Sequence, residues 1–188
     1  MLLAAKGFDS AYNMAGGLKA YKGAMAAGPV DFGLENFIGD QDFDSAFSMA
    51  LSMEGSLQKF YLALADDTPA RKLREMLLKL AYFEEGHIKR LLEKCPECRL
   101  QEHEHGSGML EGGLGYDESY AKAKEQISTP EELLEFAMML ETQAMDLYAR
   151  MAEKSINKEA QELFLDLSHE EKAHLDFLER EMNKILET

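Results

Sequence analysis

The chain has 188 residues, 46% of them hydrophobic, and a formal net charge of −15 at pH 7. That length suits one packed domain plus an appendage. The negative charge argues against nucleic acid or an anionic membrane as partner, and no apolar run reaches the roughly 18–20 residues that span a bilayer.

Residues 1–40 hold seven of the fourteen glycines: Gly7, Gly16, Gly17, Gly23, Gly28, Gly33 and Gly39. Glycine at that density opposes long helices, and so short a segment cannot bury a core of its own. It reads as a short irregular arm with a weak strand signal at "SAYNM". Met1–Lys6 is too short for a signal peptide. Two cysteines in one C-x-x-C do not make a secreted disulfide framework, so a reducing cytoplasm is expected.

From about Asp42 the pattern turns helical. A first helix is expected to about Ala65, and a second from Thr68 as N-cap, with Pro69 at its first position, to about Lys94. The connection from Cys95 to Ser128 contains "GSGMLEGGLG", which breaks a helix, and "DESYAKAKEQI", which suits a short one. The third long helix opens at "STPEEL", with Glu132 placed for a capping box, and runs to about Lys154. The fourth runs from Asn157 to about Leu186. The expected fold is all-α: a four-helix bundle over residues 41–188, built from two helical hairpins with a long crossover.

The helices repeat. Leu73, Leu77, Leu80, Glu84, His87 and Leu91 follow a 4-3-4-3-4 spacing, one face of a helix. Ala160, Phe164, Leu167, Glu171, His174 and Leu178 follow the same spacing, each 87 residues later. The offset also relates Glu54 to Glu141 and Tyr61 to Tyr148. Glu54 shares an apolar face with Phe47, Leu51 and Leu57, and Glu141 shares one with Leu134, Met138 and Met145. The midpoint of Glu54 and Glu84 is 69, in the turn "DDTPA"; that of Glu141 and Glu171 is 156, in "KSINK". Each glutamate thus sits about 22 Å from its turn at 1.5 Å per residue, so all four meet mid-bundle.

Four carboxylates in one core need compensation. Two divalent cations balance them, and carboxylates with one imidazole per metal suit iron or manganese better than a thiolate-type zinc site. One glutamate from each of two helices plus Glu-x-x-His from each of the others is the ligand pattern of ferritin-like two-metal bundles. The competing reading is a metal-free polar core network. Tyr61 and Tyr148 read as core tyrosines hydrogen-bonded to the glutamates, with an electron or radical relay as the alternative. Glu75, Glu85, Glu93, Glu153 and Glu170 read as solvated surface carboxylates. Cys95 and Cys98, followed by His103 and His105, leave three readings open: a metal knuckle, a redox dithiol or an incidental pair.

The segments "ALSMEGSLQKFY", "LAYFEEGHIKRL", "MLETQAMDLY" and "LSHEEKAHLDFL" resemble the four helices of rubrerythrin-type ferritin-like proteins over residues 42–186. The resemblance implies that Glu54, Glu84, His87, Glu141, Glu171 and His174 hold two iron ions, with manganese or a mixed pair as alternatives. It implies a peroxide-reducing oxidoreductase of oxidative-stress defence, with dioxygen as the other oxidant. The usual seventh ligand, a glutamate one turn after the first in the third helix, is Ala144 here. A rubredoxin domain needs two C-x-x-C pairs and only "CPEC" is present, so an external rubredoxin-type donor is implied. A homodimer is expected. Residues 2–29 resemble the end of a rhodanese domain, without its catalytic cysteine loop. The alternatives are ferroxidase or iron-handling activity, and a non-catalytic metal-binding module coupled to sulfur chemistry.

Overall fold

Helix α1 (Phe43–Asp67) and helix α2 (Arg71–Lys94) form the first hairpin in a computed structural model of the chain, which describes residues 26, 32–34, 37, 43–94 and 109–187. A short helix α3 (Tyr116–Gln126) lies on the crossover, and α4 (Pro130–Lys154) and α5 (Lys158–Leu186) form the second hairpin. Each hairpin packs along its own length, and α1 meets α5 as α2 meets α4 across the bundle. The expected all-α four-helix bundle is present, with the short helix at "DESYAKAKEQI" as an extra element on α1. "SAYNM", most of the N-terminal arm, and Cys95, Cys98, His103 and His105 lie outside the described residues.

The second hairpin starts as its sequence signals direct. Thr129 caps α4 through Oγ1, which accepts from the Glu132 backbone N–H at 3.2 Å, while the Glu132 carboxylate accepts from the Thr129 N–H at 3.0 Å. Asn157 caps α5 by accepting from the Ala160 N–H at 3.0 Å.

The first turn departs from expectation. Helix α2 begins at Arg71, and the Thr68 hydroxyl caps nothing in it; it donates back to the Leu64 carbonyl at 2.6 Å. Thr68 closes α1 as Ser155, 87 residues later, closes α4, with its hydroxyl donating to the Met151 carbonyl at 2.8 Å. The Arg74 guanidinium reaches back from α2, donating to the Thr68 carbonyl at 2.8 Å and the Ala65 carbonyl at 3.3 Å, and its counterpart Gln161 donates to the Ala152 carbonyl at 3.2 Å.

The buried apolar residues form two clusters. One joins Phe47, Leu51, Leu91, Leu147, Met151 and Phe164 at the end where α1 and α5 begin. The other joins Phe60, Leu64, Leu73, Leu77, Leu133 and Leu140 at the opposite end. Between them lies a layer of fully buried Glu54, Glu84, His87, Glu141 and Glu171, with His174 at its edge. Met138 and Met145, expected on the inner face of α4, are only half-buried, whereas Ala137, Leu140, Ala144 and Leu147 are buried. Met138 still packs against the apolar cluster, and a 3₁₀ turn at Glu111–Gly113 packs on α4 and widens its covered face. Its fit needs glycine: Gly112 and Gly113 have φ of +79° and +81°, and a Cβ on Gly113 would run into the Gly33 backbone.

Candidate metal centre

Each helix of the bundle delivers its share of the central layer by simple periodicity. Glu84 and His87, three residues apart on α2, are both fully buried, and Glu171 and His174 repeat the arrangement on α5. Glu54 comes from α1 and Glu141 from α4. All six residues picked out by the 87-residue offset therefore meet.

His87 Nδ1 lies 2.8 Å from Glu54 Oε2, 3.2 Å from Glu171 Oε1 and 3.6 Å from Glu84 Oε2. His174 Nδ1 lies 3.0 Å from Glu141 Oε2 and 3.2 Å from Glu171 Oε2. The Glu171 carboxylate thus spans the two imidazoles. The two rings stack at 4.5 Å with planes 2° apart. Potential ligand atoms gather in three groups: Glu54 with Glu84 and His87, Glu84 with Glu141 and His174, and Glu171 with both histidines. Within each group these atoms lie within 4.8 Å of one another. Glu84 and Glu171 are shared between the two halves, while Glu54 belongs with His87 and Glu141 with His174.

Tyr61 and Tyr148 are fully buried and cross between hairpins. Tyr148 Oη donates to Glu54 Oε1 at 2.8 Å, and Tyr61 Oη donates to Glu141 Oε1 at 3.2 Å. They match the expected core tyrosines bonded to glutamates, and each orients a glutamate of the other hairpin.

Burial pushes the Glu141 carboxyl up, but the hydrogen bond and charge of His174, the hydrogen bond with Glu171 and the charge of His87 outweigh it, so Glu141 is held below the usual carboxylate range. Positive charge is what the layer demands, and divalent cations would meet that demand. Four carboxylates carry −4, which two divalent ions neutralise, and oxygen-rich sites with one nitrogen each suit iron or manganese. The residues present fit such a pair.

The rubrerythrin family model matches residues 46–182. The chain belongs to the rubrerythrin family. Members of that family bind a di-iron centre, are generally linked to oxidative stress and are typically oxidoreductases. No curated protein and no solved structure matches the chain. The rubrerythrin match gives no support to the rhodanese-like reading of residues 2–29, which precede it. Among the described residues no helix is long and apolar enough to cross a membrane.

Two features around the rubrerythrin-type layer correct or extend the sequence reading. Ala144 is fully buried where rubrerythrins typically carry a seventh ligand. Its counterpart at the 87-residue offset is Leu57, also fully buried, so neither hairpin offers a carboxylate there. Glu170, expected as a solvated surface charge, instead keeps only 30% of its side chain exposed, with Oε2 3.4 Å from His87 Nε2. The position 87 residues before Glu170 is Phe83, so the carboxylate has no counterpart in the first hairpin.

Proposed function

We propose that Glu54, Glu84, His87, Glu141, Glu171 and His174 hold two iron ions and that the chain reduces hydrogen peroxide with electrons from a separate, rubredoxin-type donor. The observation that carries this reading is the buried layer in which four glutamates and two histidines bring their ligand atoms within 4.8 Å of one another in three overlapping groups. When bound, two redox-active ions would supply the two electrons that, with two protons from solvent, turn peroxide into two water molecules. Glu84 and Glu171, each grouped with both histidines, would be available to both positions, and Glu54 and Glu141 to one each. Tyr148 and Tyr61 hold a proton on Oη against Glu54 and Glu141, which keeps those carboxylates in one orientation. The apolar clusters on both sides exclude bulk water, which strengthens every charge interaction in the layer. A homodimer completes the proposal.

Iron-loaded, reduced protein should carry two irons per chain, change its optical spectrum on addition of peroxide, and lose both properties in Glu54→Ala. Protein that holds iron yet never oxidises with peroxide would sink the reaction. A second reading, oxidation of Fe(II) with little peroxide turnover, is favoured by the matched Leu57 and Ala144, which make the ligand set symmetric. Fe(II) consumption with dioxygen and none with peroxide would select it. Light scattering at twice the 21.2 kDa chain mass checks the dimer.

A further inference from the structure

The repeat relates Phe83 to Glu170 and Arg90 to Phe177, and these four residues flank the two histidines differently. At His174 the neighbours are aromatic: Phe83 stacks on the imidazole with centroids 4.9 Å apart, and Phe177 meets Phe83 edge-on at 5.0 Å. At His87 they are charged: Glu170 Oε2 lies 3.4 Å from Nε2, a close contact rather than a formed hydrogen bond, and 2.9 Å from Arg90 Nη2. His87 itself is fully buried and turns Nδ1 to the carboxylate layer, so Nε2 is the nitrogen left for an outer partner. We propose that Glu170, held in place by Arg90, is a positioning residue that accepts the Nε2–H of His87 when Nδ1 holds a metal, and makes the His87 half of the centre distinct from the His174 half.

The physics is that of an outer carboxylate on a ligating imidazole. Which ring nitrogen binds the metal is set by the bond the other one makes, and an anionic acceptor raises the basicity of the ring. Arg90 is half exposed and Glu170 is one-third exposed, so the pair costs little desolvation while it anchors a buried ring. Phe83 packs His174 but accepts no proton from it. The two metal positions therefore differ in donor strength although their six ligands are matched.

The inference rests on the six-residue centre proposed above, and its test separates the two. The full-length chain is stripped of metal and titrated with Co(II), and a ¹⁵N-histidine-labelled sample is loaded with Zn(II) to assign imidazole tautomers by long-range ¹H–¹⁵N correlation. Wild type should show His87 protonated on Nε2. Glu170→Leu should shift that resonance and weaken one Co(II) step by about 10–100-fold while the other stays within about twofold. Glu170→Gln, whose amide oxygen still accepts, should restore most of both. Arg90→Leu, with Glu170 intact, should weaken the same step less, and serves if Glu170→Leu does not fold. Two ions bound by wild type with unchanged His87 resonances and unchanged steps in the variants would overturn the role of Glu170 and leave the centre standing. Equal weakening of both steps would do the same. A wild-type chain that takes up no Co(II) would overturn both.

Discussion

Hairpin α1–α2 and hairpin α4–α5 carry matched inner faces, Glu54 with Glu84 and His87 against Glu141 with Glu171 and His174, and their turns close the first helix alike but open the second differently. The Thr68 hydroxyl folds back onto the Leu64 carbonyl and Ser155, 87 residues later, onto Met151, while Arg74 and its counterpart Gln161 reach over to the Ala65 and Ala152 carbonyls. Asn157 then caps α5 with its side chain, whereas Ala70, before Arg71, has no side-chain acceptor to offer α2. Charges at matched helix ends differ too, since Asp67 near the end of α1 corresponds to Lys154 at the end of α4. The inner faces converge on one charge cluster, where residue type and height are both constrained. A turn needs only to satisfy a few backbone groups, and many side chains can do that.

The hardest test of the match lies in the core. Phe47 and Leu134 occupy equivalent positions and are both essentially fully buried. Phe47→Ala should cost about 3–5 kcal/mol and Leu134→Ala about 2–5 kcal/mol in denaturant melts. A cost below about 1 kcal/mol at either position would break the equivalence of the two inner faces.

Metal removal comes next. Divalent ions at about one hundred times Kd should stabilise the chain by about 2.7 kcal/mol over the chelated protein, read as a shift of the melting curve. Glu54→Gln and Glu141→Gln should reduce that gain alike, because each belongs to one half of the layer. A gain lost in one variant and kept in full in the other would show the halves to be unequal in a way that Glu170 alone does not account for.

The caps sharpen the contrast between turns. Thr129→Ala and Asn157→Ala should each cost about 1 kcal/mol, the usual loss of an N-cap. Thr68→Ala should cost about 0.5 kcal/mol or less, since it removes a local back-bond and no cap. Equal losses at Thr68 and Asn157 would contradict the difference between closing one helix and capping the next.

The smallest effect concerns a contact that only the first hairpin has. Tyr120 on α3 donates to Asp67 at 2.7 Å, and Lys124 bonds the same oxygen at 2.7 Å. Burial and the Asp67 hydrogen bond push the Tyr120 hydroxyl up to about 12 from an ordinary 10.0. A folded-state value above the unfolded one means that the contribution is whole below pH 10 and is lost as pH rises through about 12. Asp67 is held below the usual carboxylate range by hydrogen bonds from Lys124 and Tyr120. Its contribution is present above its unfolded value and is lost as pH falls through the lower folded one. The Tm difference between wild type and Tyr120→Phe should therefore shrink from pH 10 to pH 12. A difference that stays flat over that range would remove Tyr120 from the account.

Much of the centre was legible because helix periodicity is local. Spacings of three and four residues place Glu84 with His87 and Glu171 with His174 on buried faces, and distance from the turn sets their height. Glu132, Pro130 and Asn157 announced their helix starts through residue type alone. Thr68 carried the same signal and misled, because a threonine can bond forward as a cap or backward to the preceding turn, and the carbonyls left open at the end of α1 decided which. The 3₁₀ turn that covers a further part of α4 was not legible, because it is distant in sequence from that helix.

By itself the sequence determined two matched hairpins, four long helices and one buried layer holding four glutamates and two histidines. These follow from a one-dimensional period and need no knowledge of what lies opposite. Tertiary structure alone decided that Tyr148 reaches Glu54 while Tyr61 reaches Glu141, that Glu84 and Glu171 lie between both histidines, and that Glu170 turns in toward His87 with Arg90 behind it. Such pairings depend on how two helices are rotated against each other, where a shift of a few ångströms exchanges one neighbour for another and leaves the sequence period unchanged.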